Sequence, residues 1–143
     1  MIINGDIKVA KPIGVCFEYL SDYRNRTQFI PFIDTVRLES AQTVGVGTQY
    51  TEIATVLGQD LATTYEVIEY ESPNRIVVKA LNAPFPIQST VILESKGEHT
   101  LVKIDLDLEL KGFLRIGRPL IRNFIRSELS KILKAIREEI VAI

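Results

Sequence analysis

The 143-residue chain contains no tryptophan, one cysteine, one histidine and one methionine. A single cysteine excludes an internal disulfide and makes a reduced, cytoplasmic setting the expectation. His99 and Cys16 have no partner at ligand spacing, so there is no zinc motif, and no cofactor is expected. No serine stands in a G-x-S-x-G context, and no glycine-rich phosphate loop is present. Gly45-Val46-Gly47 precedes a strand pattern rather than a helix and reads as a turn. There is no 18-residue apolar run, so no membrane span is expected. The opening MIINGDIKVAK lacks the basic head and apolar stretch of a secretory signal. Seventeen Lys and Arg face eighteen Asp and Glu, a net charge of −1. Such a balance supplies no global field toward nucleic acid or anionic lipid, and no nucleic-acid partner is expected.

What is present is ordered. Hydrophobic residues make up 46% and charged residues 24%, the balance of a soluble globular protein. The length suits one domain over residues 1–143. Residues 2–11 read as a strand, with Ile3, Ile7 and Val9 among polar neighbours. Pro12 suits the first position of a helix, and Ile13, Cys16, Phe17 and Leu20 form its apolar stripe. Ser21-Asp22 can end this helix and cap a second, short one through about Phe29, which Pro31 stops. The period then becomes two over residues 34–41, 47–57, 60–72, 75–82, 86–96 and 99–111. In the last of these, Val102, Ile104, Leu106, Leu108 and Leu110 face one way; Lys103, Asp105, Asp107 and Glu109 face the other. The links at 45–47, 57–60, 72–74 and 96–99 are too short for parallel crossovers, so the strands are antiparallel neighbours. A long amphipathic helix over about 118–140 closes the chain, with Ile121, Ile125, Leu129, Ile132, Ile136 and Ile140 on its inner face. Leu120 and Phe124 add a second apolar flank near its start. Only this helix is long enough to cover the sheet, and a twisted sheet wraps partly around it.

This order resembles the helix-grip fold of the START and birch-pollen-allergen group (SRPBCC), and within it the polyketide cyclase/dehydrase-like proteins. The matching stretches are IKVAKPIGVCFEYLSD, the spacing from Asp22 to Phe29-Ile30-Pro31, Gly45 and Gly47, YEVIEYESPNRIV, and the glycine-led final helix. The resemblance implies an α+β fold, a curved seven-stranded antiparallel sheet around a C-terminal helix with two short helices after the first strand. It also implies a small hydrophobic molecule as partner. Many relatives carry tryptophan where Phe29 stands. The scaffold hosts carriers, receptors, cyclases and accessory proteins, so function must be argued from the site.

A gap between curved sheet and helix is the natural place for a ligand. Phe29, Phe32, Phe85, Phe113 and Phe124 are candidate walls. Tyr50 and Tyr65 are candidate inward polar groups, because a buried tyrosine needs a hydroxyl partner. Gln88, Glu52 and Glu66 are further candidates; the register of residues 47–70 is ambiguous, because Thr and Ala dominate that stretch. Residues 120–125, with Ile121, Arg122, Phe124 and Ile125, are expected to wall the cavity, and Leu129 onward to close a packed core. Arg115, Arg118, Arg122 and Arg126 recur every three to four residues. Arg122 could hold an anionic ligand group; otherwise the arginines pair with Asp105, Asp107 or Glu109 or stay in water. His99 lies in the KGEHT turn and reads as solvated, and Cys16 reads as a small core hydrophobe. The leading expectation is a carrier or sensor of a lipid-, polyketide- or isoprenoid-like molecule. One alternative is a cyclase or dehydratase. Another is a quinone-carrier-like or ribosome-associated accessory protein, whose Phe-Leu-Pro segment Phe29-Ile30-Pro31 resembles.

Overall fold

A computed structural model describes residues 1–39, 44–56 and 58–143. Seven strands form one sheet: β1 (Ile2–Val9), β2 (Ile33–Leu38), β3 (Gln49–Val56), β4 (Gln59–Glu71), β5 (Arg75–Ala80), β6 (Ile87–Lys96) and β7 (His99–Leu108). Their order is β1-β7-β6-β5-β4-β3-β2, and every pairing is antiparallel. Helices α1 (Ile13–Ser21) and α2 (Arg26–Phe29) follow β1, and α3 (Arg118–Val141) ends the chain. The α+β helix-grip architecture read from the sequence is therefore the fold observed. Three expected stretches, the ends of strands 34–41 and 47–57 and the start of the 57–60 turn, reach residues 40, 41 and 57, which lie outside the described residues.

Local chemistry explains the elements. Pro12 sits one position earlier than expected, as the N-cap of α1, where its carbonyl accepts the Val15 and Cys16 amides at 3.1 and 3.2 Å. Its fixed φ serves that position equally well. The Asp22 carboxylate accepts the Arg24 amide at 3.2 Å and so caps a 3-10 turn, Tyr23–Asn25, that leads into α2. Gly117 precedes α3 and Pro119 falls in its first turn, where a missing amide costs no hydrogen bond. In β7, Val102, Ile104 and Leu108 are buried as the alternation requires. Register shifts interrupt β2 between Ile33 and Thr35 and β4 between Val67 and Glu69, and such irregularities bend a strand.

The core lies between the concave face of the sheet and the helices. Helix α3 packs on β1, α1 and α2. Its buried residues are Leu129, Leu133, Ile136 and Ile140; Ile125 and Ile132 are half-buried. Leu133 was not among the expected inner residues, and it belongs there because Gly5 of β1 lets the helix approach. A Cβ at Gly5 would stand 2.8 Å from Leu133 Cδ1 and 3.5 Å from Leu129 Cδ2. Cys16 is fully buried and its thiol faces the Lys11 carbonyl at 3.7 Å, which fits the core reading. Burial pushes that thiol up from its ordinary pKa. No helix among the described residues is long and apolar enough to cross a membrane.

Candidate functional site

A cavity of about 100 Å³ lies between sheet and helices. Ile76 and Val78 of β5, Ser89 and Val91 of β6, and Ile104 and Leu106 of β7 form its floor, and Leu129, Ile132 and Ile136 of α3 its roof. Leu20, Tyr23, Arg26, Phe29, Ile30 and Tyr50 close one end. The floor follows from the period-two alternation of adjacent strands, which sends every second side chain inward.

That end is polar for definite local reasons. The 3-10 turn capped by Asp22 turns Tyr23 into the core. Arg26 and Phe29 are three apart on α2 and share a face. Tyr50 and Glu52 are two apart on β3 and share a face of the sheet. Both are buried, at 0% and 5% exposure. The Arg26 Nε–H donates to Glu52 Oε2 in a tight ion pair. Its guanidinium carbon stands 5.7 Å from the centroid of the Tyr50 ring. Tyr23 stacks on Tyr50 at 4.2 Å, and Tyr50 stacks on Tyr65 at 5.4 Å. Burial opposes the charge of Arg26, but the Glu52 carboxylate outweighs it and the guanidinium pKa is raised. Burial pushes the Tyr23 phenol up to about 12, against a weaker opposing pull from Arg26. Tyr65 is likewise pushed up to about 12 by burial, with Glu52 adding to it. The Tyr50 phenol is raised further, again mainly by burial. All three phenols are neutral at physiological pH, so they can donate hydrogen bonds and do not act as bases.

The hydroxyls of Tyr23 and Tyr50 are buried and have no hydrogen-bond partner among the described residues. Buried polar groups are nearly always paired, and both tyrosines line this cavity, so their hydroxyls are its candidate donors.

Of the residues singled out in the sequence, Phe29 and Tyr50 line this cavity. Tyr65 lies behind Tyr50, half-buried and stacked on it. Phe85 is half-buried against the core, and Ile121, Arg122 and Ile125 are half-buried on α3. Phe32, Phe113 and Phe124 are exposed. The helical side of the cavity thus sits at Leu129, Ile132 and Ile136, not at residues 120–125. For Phe124 the reason is angular: at 3.6 residues per turn it lies about 140° around the axis from Leu129, whereas Arg122 and Ile125 lie within about 40° of Leu129's face but one to two turns nearer the helix start. Among the further candidates, Glu52 pairs with Arg26, whereas Gln88 is exposed and Glu66 accepts the Gln49 amide at 3.1 Å. Tyr23 and Arg26 were missed. The spacing of Arg26 three residues before Phe29 was the available signal; Tyr23 had none beyond its place after a capping aspartate. His99 is exposed at the start of β7. No group of three His, Cys, Asp or Glu able to hold a metal occurs among the described residues.

Solved structures share this architecture. The chain is similar to TTHA0849 from Thermus thermophilus, at 18% identity and a TM-score of 0.84, covering 99% of this chain and 98% of that one. It is similar to a START superfamily protein from Mycobacterium smegmatis, at 18% identity and 0.80, covering 97% and 96%. It is also similar to the ZhuI aromatase/cyclase of Streptomyces sp. R1128, at 14% identity and 0.76, covering 98% and 93%. At these identities the likeness is one of fold. No curated protein matches the sequence. Residues 3–141 match the family described as polyketide cyclase / dehydrase and lipid transport, and the chain belongs to that family.

Proposed function

We propose that the protein is a cytoplasmic carrier or sensor that holds a small, largely apolar molecule between sheet and α3, anchored through one neutral oxygen. The observation that carries this reading is the pair of orphan hydroxyls, Tyr23 and Tyr50, at the polar end of an otherwise mainly apolar cavity. A buried hydroxyl left unpaired costs roughly 1–3 kcal/mol, which an entering acceptor recovers. Arg26 and Glu52 neutralise each other, so a carboxylate at this end would meet the Glu52 charge without a free cation to balance it. A carbonyl, ether or hydroxyl oxygen fits better.

Size narrows the ligand. The cavity of about 100 Å³ is smaller than the roughly 150 Å³ of an engineered apolar cavity that takes up benzene. It suits one small ring or a few methylenes, held by burial at about 25 cal/mol per Å² of apolar surface. A longer polyketide or isoprenoid needs the walls to part. Ile121, Arg122 and Ile125, one to two turns before Leu129, are the α3 residues it would then meet. The family description, which includes lipid transport, agrees with this class of ligand.

Native mass spectrometry of the purified protein would identify a retained molecule. Acetophenone, ethylbenzene and benzoate then test the anchor. Acetophenone should bind tightest and benzoate weakest. Tyr23→Phe and Tyr50→Phe should each weaken acetophenone about fivefold, near 1 kcal/mol, without loss of folding stability. Equal binding of ketone and hydrocarbon, or no effect of either substitution, would overturn the reading. An enzymatic alternative rests on the same donors. Two neutral phenols aimed at one carbonyl would polarise it for cyclisation or dehydration, and turnover of a bound ketone would favour that alternative.

A further inference from the structure

The three most exposed large apolar side chains, Phe113, Ile116 and Leu120, lie in one place, with Phe124 beside them. Phe113, Ile116, Leu120 and Phe124 are 81%, 86%, 77% and 65% exposed. They run from the 3-10 turn Gly112–Arg115 into the first turns of α3. Large apolar groups so exposed and so close in sequence mark an interaction surface. Residues 111–127 also contain Lys111, Arg115, Arg118, Arg122 and Arg126 and no Asp or Glu, in a chain of net charge −1. None of these five cations makes an ion pair with a described residue. The free amides at the start of α3, which has no side-chain cap, add to the positive potential.

The arrangement selects one kind of partner. Leu120 and Phe124 form one line along the helix. Arg118, Arg122 and Arg126 form another, about 160° away. A protein surface would meet one line or the other. A bilayer meets both in depth, because apolar tips enter below the phosphates while cations on long stems reach back to them. We propose that this end of α3 docks the protein on an anionic lipid surface. Phe113, Ile116 and Leu120 enter the acyl boundary, and Lys111, Arg115 and Arg118 engage lipid phosphates.

The absence of tryptophan makes the test direct, since Phe113→Trp introduces a lone reporter. Its emission should shift to the blue, and the protein should sediment, with vesicles of phosphatidylcholine and phosphatidylglycerol but not with phosphatidylcholine alone. Added salt should weaken the binding. In the unmodified background, Leu120→Ser should weaken sedimentation roughly tenfold, as should the pair Arg115→Gln and Arg118→Gln. These side chains are exposed, so thermal unfolding should stay unchanged and confirm that the variants are folded. Three results would overturn the proposal: no binding, equal binding to the neutral vesicles, or binding indifferent to the substitutions. A dimer in gel filtration that Leu120→Ser abolishes would also overturn it, by making a second copy the occupant.

Discussion

The two halves of α3 are equally apolar in sequence and opposite in role. From Leu129 to Ile140 the helix buries Leu129, Leu133, Ile136 and Ile140 against the core. In its first turns Leu120 and Phe124 stand in water, while Ile121 and Ile125 are only half-buried. The sequence suggested another division, with the first half walling a cavity and the second closing a packed core. The structure puts the cavity under the second half. An apolar residue on a helix is buried by what faces it, not by its own character. Gly5 on β1 provides that facing surface at Leu129 and Leu133, and the helix also packs on α1 and α2.

The comparison can be broken by substitutions on either side. The largest effect should come from Leu133→Ala, with a loss of about 2–5 kcal/mol in chemical denaturation, as for large-to-small changes in packed cores. A loss near zero would mean that α3 is not held at this point.

Alkali probes the buried tyrosines beside the cavity. Tyr23 and Tyr65 titrate near 10 when unfolded and are held up to about 12 in the fold. The folded values are raised, so their contribution is intact below pH 10 and is lost as pH rises toward 12. The loss should be on the order of 2 kcal/mol for Tyr23 alone. Tyr23→Phe should flatten the decline, and no change in Leu120 or Phe124 should do so.

Gly5→Val tests the close approach of β1 and α3. Its added methyls must displace Leu133, itself buried, and the cost should be roughly 1–3 kcal/mol. A neutral result would show that the helix can shift without penalty. Phe124→Ala, on the other half, should change stability by less than about 0.5 kcal/mol, as exposed positions do. A larger loss would show that the outer half is packed after all.

Some features of the site follow from periodicity and others do not. Phe29 and Tyr50 were legible because one ends a short helix two residues before a proline and the other stands in an alternating strand. Tyr65 was legible as inward, but its place behind Tyr50 depends on the β3–β4 register, Tyr50 opposite Tyr65. That register was ambiguous in a stretch of Thr and Ala, where neither face is distinctly apolar. Arg26 was missed because its partner, Glu52 on β3, is distant in the chain and no local pattern links the two.

By itself the sequence determined the element order, the antiparallel pairing and the helix grip, because these rest on period, short turns and local caps; the family was legible only through the resemblance of its motifs. The tertiary structure alone decided which half of α3 covers the cavity, which tyrosine hydroxyls find no partner among the described residues and which cation meets Glu52. Each of these depends on side chains distant in the chain meeting at angles that no local pattern encodes. A one-residue slip of strand register or a rotation of the helix by one position would exchange them all.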